Sequence, residues 1–305
     1  MLVGCLCLWL PDFVWFTSEV SYWGMTFSSS WLSLSCFLLL VGNGFWFASL
    51  LFHLYITRVH SYFAIFIYVF CISCMPDFHV EPLLHVYMFI YIWLLRILIR
   101  MYKRQDAVFE AYNIGLLVSL MSCMFPPYLF LLPLVLVCML LLHAFSMRTF
   151  LATLLGMLTV IIMETALHYL CCGDLRVLWV NLASDLSFDA MSFVWQDWMP
   201  FFVLAFWGIM AYLIQYAHLF AMSIRSRALL NACLWSFVAL VLLVVFLRND
   251  PSYLSLGAVM VMIGLVQHFL QSYSALFRQI SFLVFVGMML VIYLIEIYIR
   301  VYGMA

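Results

Sequence analysis

Charged side chains are scarce in this chain of 305 residues, which has 12 Lys and Arg, 13 Asp and Glu, and a formal net charge of −1. Only 8% of its residues are charged, whereas ordinary soluble domains have about 25%. So few charges cannot cover a water-soluble core of this size. The sequence also lacks a basic stripe that would neutralise nucleic-acid phosphates. The composition therefore excludes an ordinary soluble domain and gives no support to a nucleic-acid partner.

Apolar residues take the place of the missing charges: they make up 69% of the chain, and the mean hydropathy is +1.19. Since a membrane-spanning helix needs about 20 apolar residues, the uncharged intervals predict an all-α, polytopic transmembrane helix bundle of about eleven spans, with a range of about nine to twelve. We expect a single integral membrane domain over residues 1–305, with some short or re-entrant helices. The predicted spans are residues 1–16, 31–57, 60–76, 82–99, 111–125, 128–147, 149–172, 198–222, 228–247, 252–277 and 279–299.

Two connections between the spans have distinctive sequences. Pro126-Pro127 lies in the middle of an apolar interval that is too long for one helix. Because proline lacks a backbone donor, this pair predicts a helical hairpin. Residues 173–198 combine four Asp residues with Trp and Phe, which predicts an amphipathic segment at the outer membrane interface.

Lys and Arg are distributed unevenly among the predicted connections. If the chain begins inside, nine of its 12 basic residues fall on the cytoplasmic side. These are Arg58, Arg96, Arg100, Lys103, Arg104, Arg148, Arg225, Arg227 and Arg278. Basic residues are retained preferentially on the cytoplasmic side. The pattern predicts a multi-pass protein of the bacterial inner membrane with a cytoplasmic N-terminus and a periplasmic C-terminus.

Motifs for common enzyme chemistry are missing. The sequence has no GxSxG, HExxH, P-loop, GxGxxG or CxxCH motif, so hydrolase, zincin, nucleotide-binding and c-type haem functions have no support. Six of the ten Cys residues lie within apolar runs, where cysteine behaves as a small hydrophobe. Cys71 and Cys74 have CxxC spacing but no second ligand pair. We therefore predict neither a metal nor a cofactor.

Carboxylates in the predicted outer loops are the candidate catalytic groups. Asp77 and Glu81 flank His79 in a turn bounded by Pro76 and Pro82, a combination that could hold a cation or activate a hydroxyl. Two further candidates, Asp12 and Glu19, lie in the first predicted outer loop. A solvated polar turn remains the alternative for both pairs.

Polar residues within the predicted spans form a second set of candidates. Glu164 and His168 are four residues apart on one helix, so they share a face and could relay a proton or contact a ligand. The alternative is that they stabilise a helix end. Five others are predicted to make interhelical hydrogen bonds. They are Gln215, His218, Asn231, Gln267 and His268.

One third of the chain, from Ser61 to Val160, resembles a family of uncharacterised polytopic inner-membrane proteins of Bacteroidota-type bacteria. That family has no assigned activity, so the resemblance implies an inner-membrane location. The matching features are Met75-Pro76, the acidic turn before Pro82, the basic patch from Arg96 to Arg104, Asn113-Ile114-Gly115-Leu116-Leu117, Phe125-Pro126-Pro127 and Phe145-Ser146-Met147-Arg148-Thr149-Phe150-Leu151.

The same stretch is more loosely similar to membrane glycosyltransferases that use polyprenyl-phosphate sugars. In those enzymes, a Gly-Leu-Leu helix, a proline, an apolar span and a cytoplasmic Arg follow an acidic outer turn. They place a catalytic carboxylate in the first outer loop, and this resemblance would give that role to Asp12 or Glu19.

Three functions follow from these observations. The first is a scaffold or assembly partner in cell-envelope biogenesis, which contacts the lipid bilayer, other membrane proteins or a lipid-linked glycan. The second is a transferase of lipid-linked sugars, in which the outer carboxylates converge on one cavity. The third is a transporter or lipid flippase that uses the pair Glu164 and His168 at membrane depth.

Overall fold

The computed structural model describes residues 8–9, 19–22, 25–53, 62–79, 81–172, 195–217, 224–247, 252–271 and 275–302. These residues are mostly α-helical, which confirms the predicted all-α helical bundle. They also include one short antiparallel hairpin, in which strand β1 (Glu19–Tyr22) pairs with strand β2 (Met25–Ser28). The sequence analysis had assigned this hairpin to a loop.

The described residues contain ten α-helices. They are α1 (Ser29–His53), α2 (Tyr62–Ser73), α3 (Pro82–Arg100), α4 (Val108–Met124), α5 (Leu131–Leu141), α6 (Met147–Cys172), α7 (Trp195–Ala217), α8 (Ile224–Leu247), α9 (Ser252–Gln271) and α10 (Ala275–Tyr302). Five of these, α1, α3, α6, α7 and α10, are long and apolar enough to cross a membrane. The protein is therefore membrane-embedded.

Each predicted span from residue 31 onward corresponds to one of these helices. The predicted span 1–16 lies outside the described residues except for Leu8 and Trp9. Most of the predicted outer segment 173–198 also lies outside them, and its last four residues open α7.

A 3₁₀ helix, Pro126–Phe130, follows α4 at the predicted hairpin. Phe125 before it is extended, with φ −147° and ψ 99°. The two prolines cannot donate to the ladder of α4, so the chain turns there. The next helix, α5, has only 11 residues and is shorter than the predicted span 128–147. It is shorter because the 3₁₀ helix occupies its start and His143, with a φ of 54°, lies in the turn after its end.

The chain divides into two compact units. The first contains Met1–Phe89, Phe193–Met222 and Leu254–Ala305, and the second contains Ile90–Ser192 and Ser223–Tyr253. The division falls inside α3. That all these residues form one integral membrane domain remains a prediction.

In the second unit, α4 and α6 approach each other closely through two glycines. A Cβ atom on Gly115 would fall against the carbonyl oxygen of Thr153, and one on Gly156 would fall against that of Tyr112. The hydroxyl groups of Tyr112 and Thr159 form a hydrogen bond of 3.1 Å across the same interface. Small residues permit this approach, as in other membrane helix pairs.

At one end of the second unit, the connections 101–107 and 142–146 are hydrogen-bonded to each other. The backbone N–H of Lys103 donates to the carbonyl of Leu142 at 3.0 Å. The hydroxyl of Ser146 donates to the carbonyl of Gln105, also at 3.0 Å. Ser146 also accepts from the backbone N–H of Thr149 at 3.2 Å and so caps α6. We call these two connections the basic loop pair.

In the first unit, aromatic side chains fill much of the space between helices. Phe47 of α1 packs on Tyr68 of α2, with ring centroids 5.1 Å apart. The buried Phe285 of α10 contacts Trp207 of α7 edge-to-face at 5.8 Å and Phe269 of α9 at the same distance. Aromatic side chains therefore form a large part of the contacts between these helices.

Candidate functional site

Several polar side chains are buried in and around the turn that follows α2. Pro76–His79 form a 3₁₀ helix, and Glu81 stands just before α3. His79 is fully buried, whereas Glu81 is exposed. The side chain of Asp77 lies outside the described part of the chain. His79 and Glu81 are therefore in different environments, one buried and one exposed, although they are only two residues apart in the sequence.

His79 contacts Trp9 and Ser73, and these two residues are hydrogen-bonded to each other. Its ring stacks on Trp9, with centroids 3.9 Å apart and an interplanar angle of 24°. Its Nε2–H donates to the carbonyl of Ser73 at 3.1 Å, since a carbonyl can only accept. The indole N–H of Trp9 donates to the hydroxyl of Ser73 at 3.0 Å. These contacts fix the imidazole orientation against α2.

A second buried imidazole, that of His85, lies at the start of α3. Its Nε2–H donates to the carbonyl of Phe78 at 2.8 Å, and its own carbonyl accepts from the amide of Asn43 at 2.8 Å. The other ring nitrogen, Nδ1, is buried without a hydrogen-bond partner in the described structure. We call Trp9, Asn43, Ser73, His79 and His85 the histidine cluster.

Most of the histidine cluster is not predicted from the sequence. His79 is a sequence candidate only as the residue between two carboxylates, and neither His85 nor Asn43 is a candidate. The cluster could have been found from the polar residues Asn43 and His85, because an amide or an imidazole inside an apolar span requires a buried hydrogen-bond partner. Chemically, the cluster fixes the turn onto α1 and α2 and leaves one nitrogen, Nδ1 of His85, able to accept a hydrogen bond.

Glu81 lies near two polar groups of the first unit. It interacts electrostatically with the thiol of Cys36 in α1 and with the hydroxyl of Tyr87 in α3. The other outer-loop candidates cannot be compared with it, because Asp12 lies outside the described residues. Only the backbone of Glu19 is described, at the start of β1. Convergence of the four carboxylates on one cavity remains a prediction.

Glu164 and His168 lie on α6, as expected from the sequence, and both are partly buried. The carboxylate of Glu164 interacts with the thiol of Cys123 on α4. Nε2 of His168 is buried and has no hydrogen-bond partner among the described atoms. The described residues show no hydrogen bond or ion pair between Glu164 and His168, so the carboxylate faces α4 in this arrangement.

The polar residues predicted to join helices have different surroundings. The amide of Gln215 in α7 donates to the carbonyl of Gly264 in α9 at 2.6 Å. Gln267 and His268 are buried in α9, and the His268 ring contacts Phe277 of α10 edge-to-face at 6.0 Å. Asn231 is partly buried in α8, and His218 lies outside the described residues.

A thiol–hydroxyl contact in the second unit was not expected from the sequence. Sγ of Cys138 in α5 lies 3.0 Å from the hydroxyl oxygen of Ser236 in α8. That hydroxyl donates to the carbonyl of Ala232 at 2.7 Å, so the thiol is the donor to Ser236. Both side chains are buried, and the contact joins two helices.

No group of three or more His, Cys, Asp or Glu side chains that could hold a metal ion occurs within the described ranges. The candidate residues thus form buried polar contacts between helices. Among them, the carboxylate of Glu81 is exposed. One ring nitrogen in each of His85, His168 and His268 is buried without a described hydrogen-bond partner. No protein-family model, curated protein sequence or solved structure matches this chain.

Proposed function

We propose that the protein is a multispan scaffold or assembly partner in cell-envelope biogenesis, located in the bacterial inner membrane. The observation that carries this proposal is the exposed surface of α6. Of the residues in its most apolar stretch, 22% are buried, against 67% for α3. α6 packs on α4 through Gly156 and presents large apolar side chains, including Leu155 and Ile162, on its exposed surface. Such a surface suits acyl chains or a helix of another membrane protein.

The buried polar groups also support a scaffold. Asn43, Gln215 and Cys138 each form a hydrogen bond to another helix or to its backbone within their own unit. A membrane interior offers no water, so such bonds hold helices in register. These hydrogen bonds explain why the three polar side chains are buried, and the explanation does not require a catalytic role.

The proposed orientation has a cytoplasmic N-terminus and a periplasmic C-terminus. Support comes from the basic loop pair: its first connection carries Lys103 and Arg104, Arg148 lies just after the second, and hydrogen bonds hold the two connections together at one end of the second unit. The positive-inside preference would place that end in the cytoplasm. The exposed Glu81 precedes α3 and would lie on the opposite side.

A transporter or lipid flippase is a second candidate, and one observation favours it. Nε2 of His168 is buried without a described partner, one turn from the partly buried carboxylate of Glu164. Ionisable groups at membrane depth often mark ion or substrate paths. In this function the pair would exchange a proton as a substrate passes α6.

The two functions are distinguished by complementation of a deletion strain in the organism that carries the gene. For the scaffold, we expect Glu81→Gln, Glu164→Gln and His168→Gln to complement fully. The triple variant Leu155→Ala, Leu158→Ala and Ile162→Ala should lose complementation, because it removes apolar contact area from the exposed side of α6.

A matched control makes the same change on another exposed apolar helix. The variant Leu283→Ala, Val291→Ala, Leu294→Ala removes exposed apolar side chains from α10 and should complement. All variants are compared at equal membrane abundance. Loss of complementation by Glu164→Gln or His168→Gln would favour transport, and loss by Glu81→Gln would favour catalysis. Full complementation by the α6 variant would contradict the scaffold proposal.

A further inference from the structure

The basic loop pair and the helix ends that adjoin it carry a concentration of exposed cations. Arg100 ends α3, Lys103 and Arg104 lie in the first connection, and Arg148 lies in the first turn of α6. All four side chains are exposed. They outnumber the two acidic groups of this region, Asp106 and Glu110, of which Glu110 lies 3.9 Å from Arg104.

The position of one of these cations is unfavourable without an anion. Arg148 lies at the N-terminal end of α6, where the helix dipole already places partial positive charge. A bound anion would reduce this unfavourable interaction at the start of α6.

Large apolar side chains are exposed beside these cations. Phe109 at the start of α4 is 73% exposed and Met147 at the start of α6 is 66% exposed, and Val108 and Phe145 are exposed as well. Two of the helices that adjoin the loops, α3 and α6, are long and apolar enough to cross a membrane, which would place this end at headgroup depth. Cations next to exposed apolar side chains match a molecule with an anionic head and acyl chains.

We propose that the basic loop pair binds the phosphate headgroup of an anionic phospholipid, with the acyl chains against Phe109 and Met147. The hydrogen bonds from Lys103 to Leu142 and from Ser146 to Gln105 hold the two connections together, which places Lys103 at the same end of the unit as Arg148. This site is independent of the scaffold function, because lipid binding requires no protein partner.

The test is equilibrium binding of tail-labelled phosphatidylglycerol to the purified full chain in neutral detergent, measured by fluorescence anisotropy. Phosphatidylcholine with the same acyl chains is the reference. We expect phosphatidylglycerol to bind roughly 25-fold more tightly, since Lys103 and Arg148 both contact the headgroup in this proposal and each Lys or Arg near an anionic surface strengthens binding roughly five-fold. The double variant Lys103→Gln, Arg148→Gln should lose most of this preference.

A matched control removes two positive charges elsewhere. Arg227→Gln, Arg278→Gln should keep the preference, because these residues lie in α8 and α10, away from the loop pair in sequence. The wild-type preference should also fall when salt is raised from about 0.1 M to about 1 M, since the screening length drops from about 10 Å to about 3 Å. That measurement tests the proposal even if a variant fails to fold.

Four results would overturn the proposal. They are equal binding of the two lipids by the wild-type chain, an unchanged preference in the loop-pair variant, equal loss in the control variant, and a preference that is insensitive to salt. Competition by glycerol phosphate at the same concentration as the lipid would also overturn it, because a free phosphate site would then explain the binding.

Discussion

Replacement of Gly115 by Ala tests the close approach of α4 and α6. The added Cβ would meet the carbonyl oxygen of Thr153, a backbone atom that cannot rotate away. The helices would have to separate, and overpacking of this kind costs about 1 to 3 kcal/mol. Separation would also lengthen the hydrogen bond between Tyr112 and Thr159, which contributes about 0.6 kcal/mol in membrane proteins. Alanine recovers up to about 1 kcal/mol through its higher helix propensity.

The net expectation for Gly115→Ala is a loss of about 1 to 2 kcal/mol in the free energy of unfolding. Gly156→Ala should cost a similar amount, because its Cβ would meet the carbonyl oxygen of Tyr112. The double variant should cost less than the sum, since the first substitution already separates the helices and makes room for the second.

The assay is reversible unfolding by sodium dodecyl sulfate in mixed micelles, followed by far-UV circular dichroism. Gly42→Ala and Gly287→Ala are the controls, because a Cβ at either position meets nothing within 4 Å. Both controls should be neutral or stabilised by up to about 1 kcal/mol. If Gly115→Ala were as stable as Gly42→Ala, the close contact between α4 and α6 would be refuted.

Four further substitutions test individual hydrogen bonds by the same unfolding assay. Ser146→Ala removes the cap of α6 and should cost about 1 kcal/mol; an unchanged midpoint would contradict the cap. Tyr212→Phe removes the bond to the carbonyl of Met260 and should cost about 0.6 to 1.7 kcal/mol. Gln215→Leu should cost less than Tyr212→Phe, because Oε1 of Gln215 is buried without a described partner and its removal offsets the lost bond. A larger cost for Gln215→Leu than for Tyr212→Phe would show that Oε1 of Gln215 has a hydrogen-bond partner. Asn43→Leu leaves the carbonyl of His85 without its donor and should cost about 1 to 3 kcal/mol; no measurable change would remove Asn43 from the histidine cluster.

The sequence predicted the helices well because a helix that crosses a lipid bilayer must meet a simple requirement of length and composition. A span needs an uninterrupted apolar stretch, and charges or prolines mark its ends. Pro82 at the start of α3 and Pro126-Pro127 after α4 were read correctly for this reason. Boundaries without such residues were less accurate. The predicted span 252–277 ends in the structure at Gln271, and the next helix begins at Ala275.

The buried polar contacts were harder to predict because they depend on which helices meet. Neither interpretation of the turn with two carboxylates, a polar site or a solvated turn, predicts that its central His79 is buried against Trp9 from a distant part of the chain. Glu164 shares a helix face with His168, but its carboxylate interacts with the thiol of Cys123 on the neighbouring helix α4. Helical periodicity predicts which residues share a face of one helix. It does not predict which residue of a neighbouring helix lies opposite that face.

Substituted-cysteine labelling tests the central claim, a membrane-embedded chain with the basic loop pair on one side. α3 has 19 residues and is therefore about 28 Å long, close to the thickness of the hydrocarbon core. Single cysteines at the exposed positions Glu81, Lys103 and His143 are placed in a variant without its ten native cysteines. With a membrane-impermeant maleimide, position 81 should react in intact cells, whereas positions 103 and 143 should react together and only after permeabilisation. Reaction of positions 81 and 103 in the same compartment, or of positions 103 and 143 in different compartments, would contradict the account.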